Sequence, residues 1–147
     1  MTETNMRQDW MGLLARAPAA EVARLWSDLD LTPDYAVLRA PEVGGVMVRG
    51  RAGGTGAPFN LGEMTVTRCS LRLQSGEVGH AYVQGRDKAH ATTAALVDAL
   101  MQTEHAARLR AGVLEPLRGM VEAATARRKA RAAATKVDFF TMARGED

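Results

Sequence analysis

The chain has 147 residues, the length of one ordinary domain, and this is enough to bury a hydrophobic core without disulfides or metals. Hydrophobic residues make up 46% and charged residues 24%, which excludes wholesale disorder, and no apolar run approaches the ~18 residues of a membrane span. The net charge of +2 is too small to predict nucleic-acid binding, and the polar first residues carry no secretory signal. We expect a single cytoplasmic domain over residues 1–147, with no membrane association.

The amino-terminal third predicts two amphipathic helices. Apolar residues recur at helical spacing over residues 6–17, before Pro18, and again over residues 22–29. Trp10 and Trp26 lie on these two stripes. We interpret both tryptophans as core residues.

Between residues 35 and 85 the apolar period changes to two, which predicts strands at 35–39, 45–51, 60–74 and 78–84. Ser75-Gly76 predicts a tight turn between the last two strands and therefore antiparallel pairing. The third strand is expected to have a buried face and an arginine-bearing face, formed respectively by Thr67, Cys69, Leu71 and Leu73 and by Val66, Arg68, Ser70 and Arg72.

Helices return after Gly85. Residues 87–102 predict one helix with Asp87 as its N-cap, and residues 109–124 predict another that Pro116 must break or restart. Residues 123–135 are alanine-rich and basic, and an extended tail, residues 136–147, ends the chain. The predicted fold is therefore α+β, with amino-terminal helices, a central antiparallel sheet of about four strands, and carboxy-terminal helices.

The sequence offers no catalytic or metal-binding constellation. The single cysteine, Cys69, excludes a disulfide framework, a zinc ribbon and a cysteine-held iron–sulfur cluster within this chain. A catalytic pair of Cys69 with His80 is conceivable across neighbouring strands, but alternation with leucines favours Cys69 as a core residue. Asp87 and Asp98 are interpreted as a helix cap and as a surface or interface carboxylate, not as an acid–base pair.

Two features are candidates for anion binding. The Gly53-Gly54-Thr55-Gly56 loop after Arg51 is either a backbone anion nest or a turn that needs positive φ angles. Arginine outnumbers lysine 16 to 3, and six arginines, among them Arg68 and Arg86, fall in the sheet segment. Such a face either engages a polyphosphate or an acidic partner surface, or is simply solvated.

The carboxy-terminal tail is a candidate docking segment. Phe139, Phe140 and Met142 lie together beyond a polar helix, where no neighbouring sequence can bury them, and Arg144 follows. They either fold back onto this chain's own core or dock into another subunit, and we favour docking.

Several stretches together resemble one family, the PhnG subunit of the bacterial phosphonate carbon–phosphorus lyase system. They occur in order across nearly the whole chain, with residues 103–136 the least similar region. The stretches are Arg7-Gln8-Asp9-Trp10-Met11, Tyr35-Ala36-Val37-Leu38-Arg39, Arg51-Ala52-Gly53-Gly54-Thr55-Gly56, Gly62-Glu63-Met64-Thr65-Val66-Thr67-Arg68, Val83-Gln84-Gly85-Arg86-Asp87-Lys88-Ala89-His90-Ala91 and Val137-Asp138-Phe139-Phe140-Thr141-Met142-Ala143-Arg144-Gly145.

The resemblance implies an accessory role in a transferase complex that moves an alkylphosphonate to the ribose C1 of ATP and releases adenine. It implies partners PhnI, PhnH and PhnJ in a core complex with two copies of each subunit, together with PhnL for the ATP-dependent step. It also implies that this chain has no cofactor of its own, since ATP is a substrate of the complex and the iron–sulfur cluster and S-adenosylmethionine belong to PhnJ.

Three interpretations follow from the resemblance and the residues. In the first, the chain braces a partner's active site through the glycine loop and the terminal phenylalanines. In the second, Arg51, Arg68 or Arg86 holds phosphate oxygens directly. In the third, the chain is a free-standing nucleotide- or phosphate-binding domain without partners. The missing catalytic groups favour a chain with no activity alone.

Overall fold

The computed structural model describes residues 2–51, 56 and 58–145, with the backbone alone described for residues 51, 58, 60 and 137–145. In chain order the elements are α1 (Glu3–Arg16), α2 (Ala19–Asp28), β1 (Tyr35–Arg51), β2 (Pro58–Leu73), β3 (Val78–Gln84), α3 (Lys88–Leu100), α4 (Ala106–Leu109), a π-helical turn (Arg110–Leu114) and α5 (Glu115–Gly145). The strands form one antiparallel sheet in the order β1-β2-β3. The α+β prediction is confirmed.

The core lies between one face of the sheet and the helices. Apolar side chains of β2 and β3 face α3, which is buried along almost its whole length, and α1 and α2 complete the layer. Trp10 and Trp26 pack against this core, as their positions on the helical stripes predict. Asp87 caps α3 as predicted, because its carboxylate accepts a hydrogen bond of 3.0 Å from the backbone N–H of His90.

Within the described residues the sheet has three strands, whereas about four were predicted. The two predicted segments 35–39 and 45–51 form one continuous strand, β1, in which Pro41 does not end the strand. The register of β1 against β2 shifts between Val37 and Arg39 and again between Arg39 and Glu42. These irregularities on an edge strand accommodate a proline, which has no N–H to donate to the ladder.

The two predicted faces of β2 are confirmed with one exception. Cys69, Leu71 and Leu73 face the core, and Arg68 and Arg72 are exposed on the other side. Val66 was predicted on the exposed face. In the structure its side chain is fully buried, although it does not belong to the main core cluster. The period of two predicts on which face a side chain lies, and it contains no information on what covers that face.

The carboxy-terminal segment is helical, not extended. Pro116 occupies the first turn of α5, where a proline is tolerated, and the π-helical turn precedes it. From there the backbone stays helical to Gly145, because neither proline nor glycine interrupts the sequence after Gly119. The alanine-rich, basic stretch at residues 123–135 lies in this helix, and residues 126–136 of α5 are all exposed.

At Gly79 the helix α3 approaches β3 too closely for a side chain. A Cβ atom there would lie 2.8 Å from the Cβ of Ala99 and would overlap the carbonyl oxygen of Ala95. We expect Gly79→Ala to lower the free energy of unfolding by about 2–3 kcal/mol, because backbone atoms must move to relieve the overlap. Urea denaturation measures this change.

The matched control is Gly44→Ala in β1, where nothing lies within 4 Å of an added Cβ. We expect this variant to differ from the parent protein by less than about 0.5 kcal/mol. Equal stabilities of the two variants would show that the close approach of α3 to β3 is not a constraint.

Candidate functional site: the outer face of the sheet

The outer face of the sheet, opposite the face that packs on α3, brings together polar side chains from all three strands. In the strand register, Ser70 of β2 pairs with Arg39 of β1 on one side and with His80 of β3 on the other. Two pairs further along, and therefore on the same face, Arg68 lies opposite Tyr82. Because paired residues of neighbouring strands share a face, the register itself assembles this group.

A cavity of about 200 Å³ marks the group, and α1 borders it. We call this cavity the sheet-face site. Its lining residues are Met11, Arg39, Arg68, Cys69, Ser70, His80, Ala81 and Tyr82.

The side chains of the sheet-face site hold one another in place. The hydroxyl oxygen of Ser70 lies 3.1 Å from Nδ1 of His80, within hydrogen-bond distance. The guanidinium carbon of Arg68 lies 5.1 Å from the centroid of the Tyr82 ring, a cation–π contact. The backbone N–H of His80 donates to Oδ2 of Asp98 at 2.8 Å, which ties this part of β3 to α3.

Asp98 is the buried support beneath the sheet-face site. Its carboxylate is fully buried and accepts hydrogen bonds from Nε and NH2 of Arg7, from Nε1 of Trp10 and from the backbone of His80. The hydrogen bond to Asp98 raises the pKa of Arg7. The sequence-based interpretation of Asp98 as a surface or interface carboxylate was wrong, because nothing in the pattern of α3 indicates that an arginine and a tryptophan of α1 reach it.

Nucleophilic catalysis does not fit this geometry. Cys69 is buried among core residues, and burial raises the pKa of its thiol, which disfavours the reactive thiolate. Among the described residues, no carboxylate contacts the ring of His80, so the Ser70–His80 pair lacks the third group that orients a catalytic histidine. Within the same residues no cluster of three or more His, Cys, Asp or Glu side chains is placed to hold a metal ion.

Anion binding does fit. In the part of the chain that the structure describes, neither Arg39 nor Arg68 forms an ion pair with a carboxylate. Glu42, the strand partner of Arg68, makes no such pair either. These two guanidinium groups, together with the neighbouring hydroxyl and imidazole, are hydrogen-bond donors that a bound anion can accept from.

A larger cavity lies at the carboxy-terminal end of β2, and acidic side chains line it instead of arginines. Its volume is about 700 Å³, and its lining includes the carboxylates of Asp34, Glu77 and Glu104. Negative charge at its rim opposes the binding of phosphate groups. The sheet-face site is therefore the better candidate despite its smaller volume.

The structure does not bring the other predicted anion-binding residues together with Arg68. The backbone of Arg51 pairs with Pro58, ten residues along β2 from Arg68, which corresponds to roughly 33 Å at ~3.3 Å per residue. Arg86 is exposed in the turn after β3. Gly56 forms a bend, while Gly53, Gly54 and Thr55 lie outside the described residues.

The predicted docking residues of the tail fall where only the backbone is described. Phe139, Phe140, Met142 and Arg144 belong to the last turns of α5, and their side chains lie outside the described part. Their role in docking stays a prediction.

The structure reveals a second apolar surface that the sequence analysis missed. β3 pairs only with residues 66–72 of β2, so β1 residues 45–51 and β2 residues 58–65 form a two-stranded ribbon that has no third strand among the described residues. We call this ribbon the β arm. Its exposed apolar side chains are Met47, Val48, Phe59 and Leu61.

The sequence predicted Arg68 and Ser70 on one face of the same strand, but it did not predict that Arg39 and His80 join them. His80 was considered as a catalytic partner of Cys69. In the register Cys69 pairs with Ala81, so His80, the residue before Ala81, lies on the opposite face of the sheet from Cys69. The turn at Ser75-Gly76 was the sequence signal that could have placed His80 beside Ser70, because the register of this hairpin sets the two residues opposite each other.

Comparison with known proteins gives a consistent result. The family model described as "Phosphonate metabolism protein PhnG" matches residues 5–145. The chain is 49% identical over 142 residues, 96% of its own length and 90% of the relative's, to the alpha-D-ribose 1-methylphosphonate 5-triphosphate synthase subunit PhnG of Rhizobium meliloti strain 1021. Among the described residues no helix is long and apolar enough to cross a membrane.

Proposed function

The chain belongs to the PhnG family of phosphonate metabolism proteins, and we propose that it is an accessory subunit of an alpha-D-ribose 1-methylphosphonate 5-triphosphate synthase in the cytoplasm. In this role it supports the transfer of an alkylphosphonate to the ribose C1 of ATP, with release of adenine. The observation that carries the proposal is 49% identity to a synthase subunit over nearly the whole of both chains.

The side chains support an accessory role over independent catalysis. The described residues include no nucleophile with an oriented base and no metal cluster. In the proposed transfer a phosphonate oxygen, already anionic, forms the new bond to ribose C1 and adenine leaves, so the protein must hold both groups in line and protonate the departing adenine. The sheet-face site has no carboxylic acid for that proton transfer, so in the proposal a partner subunit supplies the acid and this chain has no activity alone.

Two elements that leave the body of the protein support assembly with other subunits. The β arm exposes four apolar side chains on a ribbon of two strands, a structure that is marginally stable in water without further packing. Residues 126–136 of α5 are exposed, and the backbone of the helix continues through the segment that contains Phe139 and Phe140. In the proposal both are docking elements, with residues 136–147 as the carboxy-terminal one.

The proposed partners are PhnI, PhnH and PhnJ in a core complex with two copies of each subunit, with PhnL for the ATP-dependent step. PhnI is the proposed nucleosidase, and the carbon–phosphorus bond is broken on PhnJ with its iron–sulfur cluster and S-adenosylmethionine. This chain contributes no cofactor, and the glycine loop at 53–56 and Arg86 are further candidates for phosphate or subunit contacts.

A free-standing phosphate-binding domain is the alternative, favoured by the two arginines of the sheet-face site, which form no ion pair with any described carboxylate. The two functions are distinguished by expressing the other subunits with and without this chain. If the chain is an accessory subunit, its omission abolishes adenine release from ATP and methylphosphonate, and adding the purified chain back restores it. Undiminished adenine release without the chain contradicts the proposal.

A further inference from the structure

We propose that the sheet-face site binds a tetrahedral phosphorus oxyanion, the phosphate or phosphonate group of a substrate, through Arg39, Arg68, Ser70 and His80. The existence of an anion site rests on the geometry alone. Its assignment to a substrate's phosphorus group rests on the proposed function.

The donors reach one cavity from three strands. Arg39 comes from β1, Arg68 and Ser70 from β2, and His80 from β3, and all four line the same space of about 200 Å³. An anion seated there meets donors on several sides. A phosphate or phosphonate presents three oxygens in different directions and satisfies such a set, whereas the two oxygens of a carboxylate lie in one plane.

The charge of the cavity matches such a ligand. Its lining contains two guanidinium groups and no carboxylate. Because neither arginine forms an ion pair within the described part of the chain, an arriving anion does not have to displace a described carboxylate from either guanidinium group. Arginine forks hold phosphorus oxyanions by paired hydrogen bonds, which adds geometric selectivity to charge attraction.

The site is also held in place before the ligand binds. The guanidinium of Arg68 lies over the ring of Tyr82, a cation–π contact that favours this position of the side chain without using its N–H groups as donors to a described carboxylate. Ser70 and His80 contact each other, and Asp98 fixes the backbone of His80 from the buried side. Side chains that are already ordered lose less entropy on binding than free ones.

Arg72 provides a matched control for Arg68. It lies four residues away on the same strand and the same outer face, it is exposed, and it does not line the cavity. Arg68→Gln and Arg72→Gln remove the same charge from the same strand. A general attraction of anions to a basic surface therefore affects both variants equally.

The test is calorimetric titration of the full-length chain with inorganic tripolyphosphate and with methylphosphonate. We expect binding of tripolyphosphate that Arg68→Gln and His80→Gln each weaken at least tenfold, about 1.4 kcal/mol, whereas Arg72→Gln weakens it less than about threefold. Circular dichroism spectra and melting curves that match the parent protein establish that the variants are folded.

Three results would overturn the site. They are no tripolyphosphate binding at millimolar concentration, equal losses in Arg68→Gln and Arg72→Gln, and tighter binding of a pentaglutamate peptide than of tripolyphosphate, which would assign the face to an acidic protein segment. Any one of these results overturns the sheet-face site. If omission of the chain still abolishes adenine release, the proposed accessory function is unaffected by that result.

Discussion

Replacing Asp98 by alanine is expected to lower the free energy of unfolding by about 3–4 kcal/mol. The carboxylate is fully buried and accepts four hydrogen bonds, with donor–acceptor distances from 2.8 to 3.1 Å. Its removal leaves the indole N–H of Trp10 and the backbone N–H of His80 without an acceptor and Arg7 without its counter-charge. We place the effect near the lower end of the range for buried ion pairs because the Arg7 side chain is 34% exposed.

Thermal and urea denaturation measure this loss, and Asp9→Ala is its control. Asp9 of α1 pairs with Arg118 of α5, so it too joins an aspartate and an arginine from different helices. Both of those side chains are more than 40% exposed, and surface pairs of this kind contribute roughly 0–1 kcal/mol. Comparable losses in Asp98→Ala and Asp9→Ala would contradict the role of Asp98 as a buried support.

The Asp98 network shows where prediction from this sequence stops. The helices, the hairpin turn and the Asp87 cap follow from local spacing and local chemistry, so the sequence predicts them. The partners of Asp98 lie 18, 88 and 91 residues away in the chain. Contacts over such distances depend on how α1, β3 and α3 pack, and no periodicity encodes that packing.

The same limit explains the difference in the sheet. Two strands, 35–39 and 45–51, were predicted where the structure has the single strand β1, and Pro41 lies between those two predicted segments. In the structure β1 lies at the edge of the sheet and its register shifts there, so the missing N–H costs no ladder hydrogen bond. Whether a strand lies at an edge is a property of the whole sheet.

The sheet-face site was predictable in part. Alternation along β2 predicts Arg68 on an outer face, because strand periodicity is local. The addition of Arg39 and His80 depends on the register of two strand pairs, one of which contains bulges. A pattern along one strand does not reveal the neighbours that the register supplies.

The second prediction concerns the β arm, where we expect the largest effect on association with other subunits. We expect Phe59→Asp combined with Leu61→Asp to weaken the association of this chain with the other synthase subunits at least about a hundredfold, since two apolar anchors of roughly 2 kcal/mol each are replaced by charges. Both side chains are exposed, at 46% and 61%, so the isolated chain is expected to keep its melting temperature within about 3 °C. Affinity co-purification with the co-expressed subunits, followed by titration of the purified components, measures the change.

The control variant carries the same two added charges on a different surface. Ala20 and Ala23 are exposed on α2, away from the β arm in the fold, and Ala20→Asp with Ala23→Asp should leave association unchanged. Loss of association in both variants would attribute the effect to net charge. Phe59 and Leu61 form the exposed apolar surface of β2 within the β arm. Undiminished co-purification of their double variant would therefore show that the β arm is not a docking surface, and α5 would remain as the proposed docking element.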